Sequence, residues 1–399
     1  MRRVGLTVAV LCLLCPPLLA QGKFPLKYEE AGPGNDAVVQ MNSPARGMNP
    51  RKPDEITGLP DGLPETAAYC QMSFGDKRIW MAALVGDAPK LYVDTDGDND
   101  LSDETAIAGQ VEGNRVKYAI ADLPVSGGAT VKVRCEATFR NTKGPAQVLS
   151  LRAAGCPAGK ATLGGKTYAV AVIDGTFNGH YNDIIQDNPN DLSSGSADGL
   201  AIDLDQDGQF ARPSPTGKAW EWTLLCKMVE VGGTYYTVRV APDGSEIEFQ
   251  KTEPKFGTLD MGGPGVDIIA MSEAGFQRVN TADGKARLPA GKYMPVTLTL
   301  TQTDDAGATW MLRQSGGEFR QFEIRPDEAL AVKLGPPLLA KTDVRQSGKT
   351  VLIIYALLGQ AGEQYSPGAM KDKTMLPPPA VEILDEARKV IYAGKFEYG

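Results

Sequence analysis

The sequence predicts an all-β, mainly antiparallel protein: a disulfide-stapled β domain carrying acidic loops, followed by a β-sandwich domain. Three observations lead there. The 399 residues include 45 Gly and 28 Pro, which punctuate the chain too often for long helices. Between these breaks lie short runs rich in β-branched and aromatic residues, the pattern of strands joined by tight turns. Four cysteines, Cys70, Cys135, Cys156 and Cys226, stand beyond an N-terminal segment that reads as removable.

That segment sets the compartment. Arg2 and Arg3 precede an uncharged apolar run from Val4 to Ala20, broken by Pro16 and Pro17 and followed by Gln21-Gly22. This is the layout of a secretory signal peptide, with cleavage expected after Ala20. A transmembrane helix needs ~20 unbroken apolar residues, and neither this run nor any later one qualifies. Cys12 and Cys15 would leave with the peptide. The expected location is secreted or periplasmic. An even cysteine count in an oxidising compartment favours two disulfides, and four cysteines allow three pairings that spacing does not separate. A zinc site would want a close cysteine pair, which is lacking. The formal charge is −8 and no basic patch stands out. Nucleic acid is therefore excluded as a partner, because neutralising phosphates needs clustered Lys and Arg.

Residues 21–65 read as a polar lead-in or linker, as in Pro44-Ala45-Arg46-Gly47-Met48-Asn49-Pro50. Residues 66–256 read as the β-rich domain, with strands expected at 78–85, 90–93, 115–120, 130–139, 148–152, 167–173, 199–202, 220–229, 235–240 and 246–250. A Gly/Pro-rich stretch over 257–265 marks the expected boundary. Residues 266–399 follow with strands every 8–12 residues, the rhythm of an immunoglobulin-like sandwich. Pro379 to Lys389 carries a short helical hint that competes with a closing hairpin over 381–397.

The chemistry lies in three loops, each after a short apolar strand. The first is Asp94-Thr95-Asp96-Gly97-Asp98-Asn99-Asp100-Leu101-Ser102-Asp103-Glu104. Asp94, Asp96 and Asp98 stand at positions one, three and five, with Asn99 at six, Leu101 at eight and Asp103 at ten. Position six wants a left-handed backbone, which Gly supplies and Asn tolerates. Position seven, Asp100, would add a backbone carbonyl. The second loop has Asp203, Asp205 and Asp207 at one, three and five, Gly208 at six, Gln209 at seven and Phe210 at eight. The third, weaker copy has Asp174, Thr176, Asn178, Gly179, His180 and Tyr181 in the corresponding places, with Asp183 at ten. Such spacing wraps oxygens around one hard cation, and crowded carboxylates repel without one. The competing reading is that acidic turns simply cap hairpins in water.

These loops resemble the calcium loops of the EF-hand, dockerin and thrombospondin type-3 families over about ten residues each. The resemblance implies Ca2+ as the ion, held as a structural clip. No copy has the family's Glu at position twelve, where Thr105, Ser214 and Ile185 stand, so a helix–loop–helix sensor is not expected and further ligands must come from nearby acids or water. The order of "VDTDGDNDLSDE", "GGKTYAVAVIDGTFNGHYND", "GLAIDLDQDGQF" and "GGTYYTVRVAPDG" resembles a group of uncharacterised secreted bacterial proteins over roughly 70–250. That implies architecture and export, and no activity.

Catalytic alternatives find little support. His180 is the single histidine, and it falls where the backbone, not the side chain, would ligate. Val93-Asp94-Thr95-Asp96 and Ile173-Asp174-Gly175-Thr176 lack the Asp-Thr/Ser-Gly of aspartic proteases, and no phosphate-cradling Gly-rich loop occurs. The leading expectation is a non-enzymatic structural or binding protein. A carbohydrate-active or peptide hydrolase with calcium as scaffold remains open, since two facing carboxylates cannot be nominated from spacing. So does a glycan- or protein-binding module, with Trp220 and Trp222 on one strand face as a stacking platform for a cell-envelope partner.

Overall fold

The computed structural model describes residues 21–397 apart from 33–34, 36–38, 40–43, 75–76, 126–129, 141–143, 186–196, 211–220, 264, 281–282 and 367. The expected signal peptide, Trp220 and Ser214 fall outside the described residues. What is described is all-β. Strand pairing is antiparallel throughout except between Phe256–Asp260 and Ala329–Ala331. The turns explain why. Gly164-Gly165 (φ 57° and 81°) and Gly232-Gly233 (φ 58° and 79°) each lie between paired strands. Two successive left-handed residues make the turn whose twist matches that of the strands it joins.

The first eight-stranded sheet is an up-and-down meander. Its strands are Ala45–Gly47, Ala68–Phe74, Lys77–Leu84, Lys90–Val93, Ile107–Glu112, Arg115–Pro124, Thr130–Phe139 and Ala146–Ala153. Ala45–Gly47 lies beside Ala146–Ala153, and the others follow in reverse order to Ala68–Phe74. Asn49 and Tyr69 then exchange two backbone hydrogen bonds of 2.8 Å, joining the two ends into a barrel-like wall. Along Arg115–Pro124 buried and exposed residues alternate, and the phase slips at the bulge between Lys117 and Ile120. Inside pack Phe74, Met81, Val116, Leu123, Val133 and Leu149. On the outside, residues of the lead-in cover the wall: Ile56, with Leu59 and Leu63, packs on Tyr69, Tyr92 and Leu101.

The second eight-stranded sheet takes Gly155–Leu163, Lys166–Ile173, Gly199–Ile202, Trp222–Leu224, Met228–Val231, Thr234–Val240 and Glu246–Thr252. It also takes Gln21–Glu30, which sits between Gly155–Leu163 and Glu246–Thr252. The start of the described chain is thus a central strand, and residues 66–256 are shared between two sheets. The edges of this second sheet, Trp222–Leu224 and Met228–Val231, are neighbours in sequence and leave a seam. The turn of the next hairpin, Val266–Ser272 with Gly275–Val279, enters it: Met228 N–H donates to Glu273 O (3.1 Å), Lys227 pairs with Glu273 (2.8 Å), and Met271 joins the core.

The C-terminal unit sets a three-stranded sheet (Phe256–Asp260, Lys285–Pro289, Ala329–Ala331) and a ten-stranded one over a shared core. At its centre the Phe322 ring lies between those of Tyr293 (5.2 Å) and Phe319 (5.8 Å), nearly parallel to both. The chain closes in a hairpin, Ala380–Leu384 with Val390–Lys395, so the strand reading prevails over the helical hint.

The expected disulfide staple is not found. Cys70, Cys135, Cys156 and Cys226 are all free thiols, and all buried. Cys70 and Cys135 share the first core, whereas Cys226 and Cys156 lie in two different clusters. Burial pushes each thiol up to about 12, which keeps it in the unreactive protonated form. The chain lacking residues 1–20 should therefore resist a thiol reagent at pH 8 while folded and release four thiols in denaturant without reductant. A colorimetric thiol count of two or fewer would restore the disulfide reading.

Candidate metal-binding loops

All three acidic loops begin one residue past a strand end, after Lys90–Val93, Lys166–Ile173 and Gly199–Ile202. The strands carry position one inward: Asp94, Asp174 and Asp203 are 0%, 2% and 4% exposed. A buried carboxylate needs partners, and the loop backbone supplies them. In the first loop Gly97 and Asn99 N–H donate to Asp94 Oδ1 (2.8 Å) and Oδ2 (3.2 Å). In the second, Asp207 and Gly208 donate to Asp203 at 3.1 and 3.0 Å. In the third, Asn178 and Gly179 donate to Asp174 at 3.2 and 2.7 Å. Position five then accepts from the N–H of position seven in every copy: Asp98 from Asp100 (2.7 Å), Asp207 from Gln209 (2.9 Å) and Asn178 from His180 (2.8 Å).

One backbone path is therefore used three times. Positions four and six are left-handed in each loop: Gly97 and Asn99 (φ 82° and 63°), Gln206 and Gly208 (61° and 81°), Phe177 and Gly179 (54° and 84°). Sequence reasoning placed this demand at position six alone. Position eight anchors the loop to the core, through Leu101 at 0% exposure, Phe210 at 7% and the half-buried Tyr181.

The loops differ in what their carboxylates face. In the first, Asp94, Asp96 and Asp98 bring one oxygen each within 4.8 Å of one another. At that separation two carboxylates repel by about 0.9 kcal/mol in water and roughly four times as much near a protein surface. Burial raises the Asp94 carboxyl above its ordinary value, against the Gly97 and Asn99 hydrogen bonds and with the charges of Asp96 and Asp98. Asp103, expected as a ligand, is exposed and outside this cluster. Its neighbour Glu104 turns back instead and accepts from Thr95 N–H and from Thr95 Oγ1 at 3.0 and 2.9 Å. Residues 57–58 strap the loop: Thr57 N–H donates to Asn99 O (2.8 Å) and Leu101 N–H to Gly58 O (3.1 Å). A Cβ on Gly58 would meet Asp100 Oδ1 at 2.1 Å, so a side chain there would displace the Asp100 carboxylate.

In the second loop the trio within 4.8 Å is Asp203, Asp205 and Glu221; Asp207, the expected third member, is not in it. Glu221 is 3% exposed, and its Oε1 accepts from Asp205 N–H (3.0 Å). It reaches the loop because Ile202 N–H donates to Glu221 O (2.6 Å). Spacing could not nominate a residue so far along the chain; the one local hint is an acid within the apolar run Trp220-Glu221-Trp222. Gln209 and His180, both at position seven, are exposed.

In the third loop direct hydrogen bonds tie the polar groups. Asp183 Oδ2 accepts from Thr176 Oγ1 (2.8 Å) and Asn178 Nδ2 (2.7 Å). Behind it lies Asp198, 0% exposed, which accepts from Gly175 N–H (2.9 Å) and Asp183 N–H (2.7 Å). Position four is Phe177, 2% exposed, whose ring enters the core of the first barrel and meets Phe74 edge-on at 6.4 Å. This loop thus belongs to one sheet and plugs the other. Trp222, one of the two tryptophans expected to form a stacking platform, is half-buried and edge-on to Phe276 at 6.1 Å. No described helix is long and apolar enough to cross a membrane. Comparison with family models, curated proteins and solved structures finds no match to this chain.

Burial pushes the Asp198 carboxyl up to about 8, helped by the charges of Asp174 and Asp183 and opposed by its two backbone hydrogen bonds. The folded chain then holds a proton that the unfolded chain releases near its ordinary value of 3.8. The resulting stability is fully present below that value and is lost as pH rises toward 8. With chelator present, Asp198→Asn should flatten this slope, at a cost of about 1–3 kcal/mol for the N–H left facing an amide. Urea unfolding across pH 4–8 checks it; an unchanged slope would remove the assignment.

Proposed function

We propose that this is an exported, non-enzymatic structural or binding protein of the cell envelope or extracellular space, in which calcium clips the acidic loops. The observation that supports it best is the threefold reuse of one loop path with dissimilar sequences, each closing around a buried position-one carboxylate. The two all-carboxylate trios, Asp94/Asp96/Asp98 and Asp203/Asp205/Glu221, are the ligand sets for the ion. Hard oxygen donors in a flexible loop suit calcium better than magnesium, which demands near-ideal octahedral geometry. In the second loop the ion would join Glu221, beside an edge strand, to the end of Gly199–Ile202. The C-terminal unit is an immunoglobulin-like sandwich module, a reading supported by its small sheet facing a larger one.

Calcium binding only the folded form adds about 1.4 kcal/mol per site at ten times the dissociation constant. Thorough chelation should therefore lower the melting temperature, and ~1–10 mM calcium should restore it, since exported modules bind at ~0.1–1 mM. Asp94→Asn with Asp96→Asn should abolish the share of the first loop, and Asp203→Asn with Asp205→Asn that of the second. A melt unmoved by chelator and calcium in calorimetry would overturn the reading.

A second reading, a glycan-binding module, draws on one feature. A cleft of about 550 Å³ is lined by Trp222, Phe276, Glu221, Glu230, Gln277 and Arg278, between the seam of the second sheet and the hairpin that enters it. Saturable quenching of tryptophan fluorescence by a soluble oligosaccharide, lost in Trp222→Ala, would favour it.

A further inference from the structure

The ten-stranded sheet ends on Leu339–Ser347, and all nine residues of that strand are exposed. Among the described residues nothing pairs with its outer edge. The hairpin it forms with Thr350–Leu358 exposes apolar groups on both faces: Val344 (61%), Val351 (51%) and Leu352 (54%). A two-stranded ribbon is marginally stable alone, and a long uncovered edge is a template for another strand. Natural edges are often blunted by charged side chains, lysine above all; here the charges alternate in sign along one face, with Lys341, Asp343 and Arg345.

We propose that Leu339–Ser347 pairs antiparallel with the same strand of a second copy, about a twofold axis at Val344, making one continuous sheet across a dimer. The charge pattern selects this arrangement. Opposed residues in an antiparallel pair are both hydrogen-bonded or both not, so a strand meeting its own copy must place the axis on a residue. An axis at Lys341, Asp343 or Arg345 sets that residue against itself, charge on like charge. An axis at Thr342 opposes Lys341 to Asp343, and one at Val344 opposes Asp343 to Arg345. Both of these are complementary to themselves, as an isologous interface requires.

The hydrophobic pattern decides between the two. Val344 stands opposite Ile353 within the hairpin. An axis at Val344 therefore runs a row Ile353–Val344–Val344–Ile353 across the interface, and β-branched cross-strand neighbours stabilise sheets. An axis at Thr342 would centre the row on two threonines between Tyr355 side chains. The Arg345–Asp343 ion pair already present at 2.8 Å would extend into four alternating charges.

Sedimentation velocity over a concentration series tests the pairing, with a thermal melt of each variant showing that it is folded. The full chain should be a dimer. Asp343→Lys sets a lysine opposite Arg345 of the second copy at two symmetric places and should weaken association about ten-fold or more. Asp343→Lys with Arg345→Asp restores opposite charges across the axis and keeps the ion pair within the hairpin, so dimerisation should return. Rescue by Lys341→Asp with Asp343→Lys instead would overturn the Val344 axis in favour of Thr342. A chain monomeric throughout, or an Asp343→Lys variant associating as tightly as the parent, would overturn edge pairing altogether.

Discussion

Three carboxylates, Asp94, Asp174 and Asp203, must be buried at strand ends, and much of the local architecture follows from how they are satisfied. An ionised carboxylate without partners costs several kcal/mol in a protein interior. Each is met by two backbone N–H groups that point back at it because the chain turns left-handed twice within six residues. Gly or Asn fills position six in all three loops, while position four tolerates Gly, Gln and even Phe. A left-handed phenylalanine is costly. It persists at Phe177 because the same backbone aims the ring into the neighbouring barrel.

That placement makes the loops joints as well as candidate ion sites. The first is strapped by residues 56–58 to the outside of the first barrel. The second draws Glu221 against Asp205 and so fixes where the strand Trp222–Leu224 begins. The third sends Phe177 into the first core, while Asp198 behind it receives the N–H groups of Gly175 and Asp183. The hairpin turn at Glu273 fills the seam of the second sheet in the same spirit. Phe177 and Met271 are side chains sent from hydrogen-bonded turns into a neighbouring core, and an ion in the third loop's turn would stiffen that joint more than the sheet.

The buried acids are handled differently elsewhere. Glu363, 0% exposed, accepts from Gly335 and Ala361 N–H and from Tyr365 Oη, all at 2.6–3.0 Å, and belongs to no trio of carboxylates among the described residues. This site is complete with protein donors alone. Each of the first two acidic loops instead brings one oxygen from each of three carboxylates within 4.8 Å of one another, a crowding that a cation would relieve.

By itself the sequence determined the β class, most strand positions, the three loops and their apolar eighth-residue anchors. These are local properties: alternation, turn chemistry and short-range spacing act within about ten residues. The strands at Lys90–Val93, Thr130–Phe139 and Gly199–Ile202 were legible to the residue for that reason. Only the tertiary structure decided that Gln21–Glu30 is a central strand, that Glu221 replaces Asp207 beside Asp203, and that Asp198 backs the third loop. It also decided that the four cysteines remain unpaired, with Cys156 and Cys226 placed in clusters apart from each other and from the core that holds Cys70 and Cys135. These facts depend on pairing between residues tens to hundreds of positions apart, and chain spacing carries no record of which distant strands become neighbours.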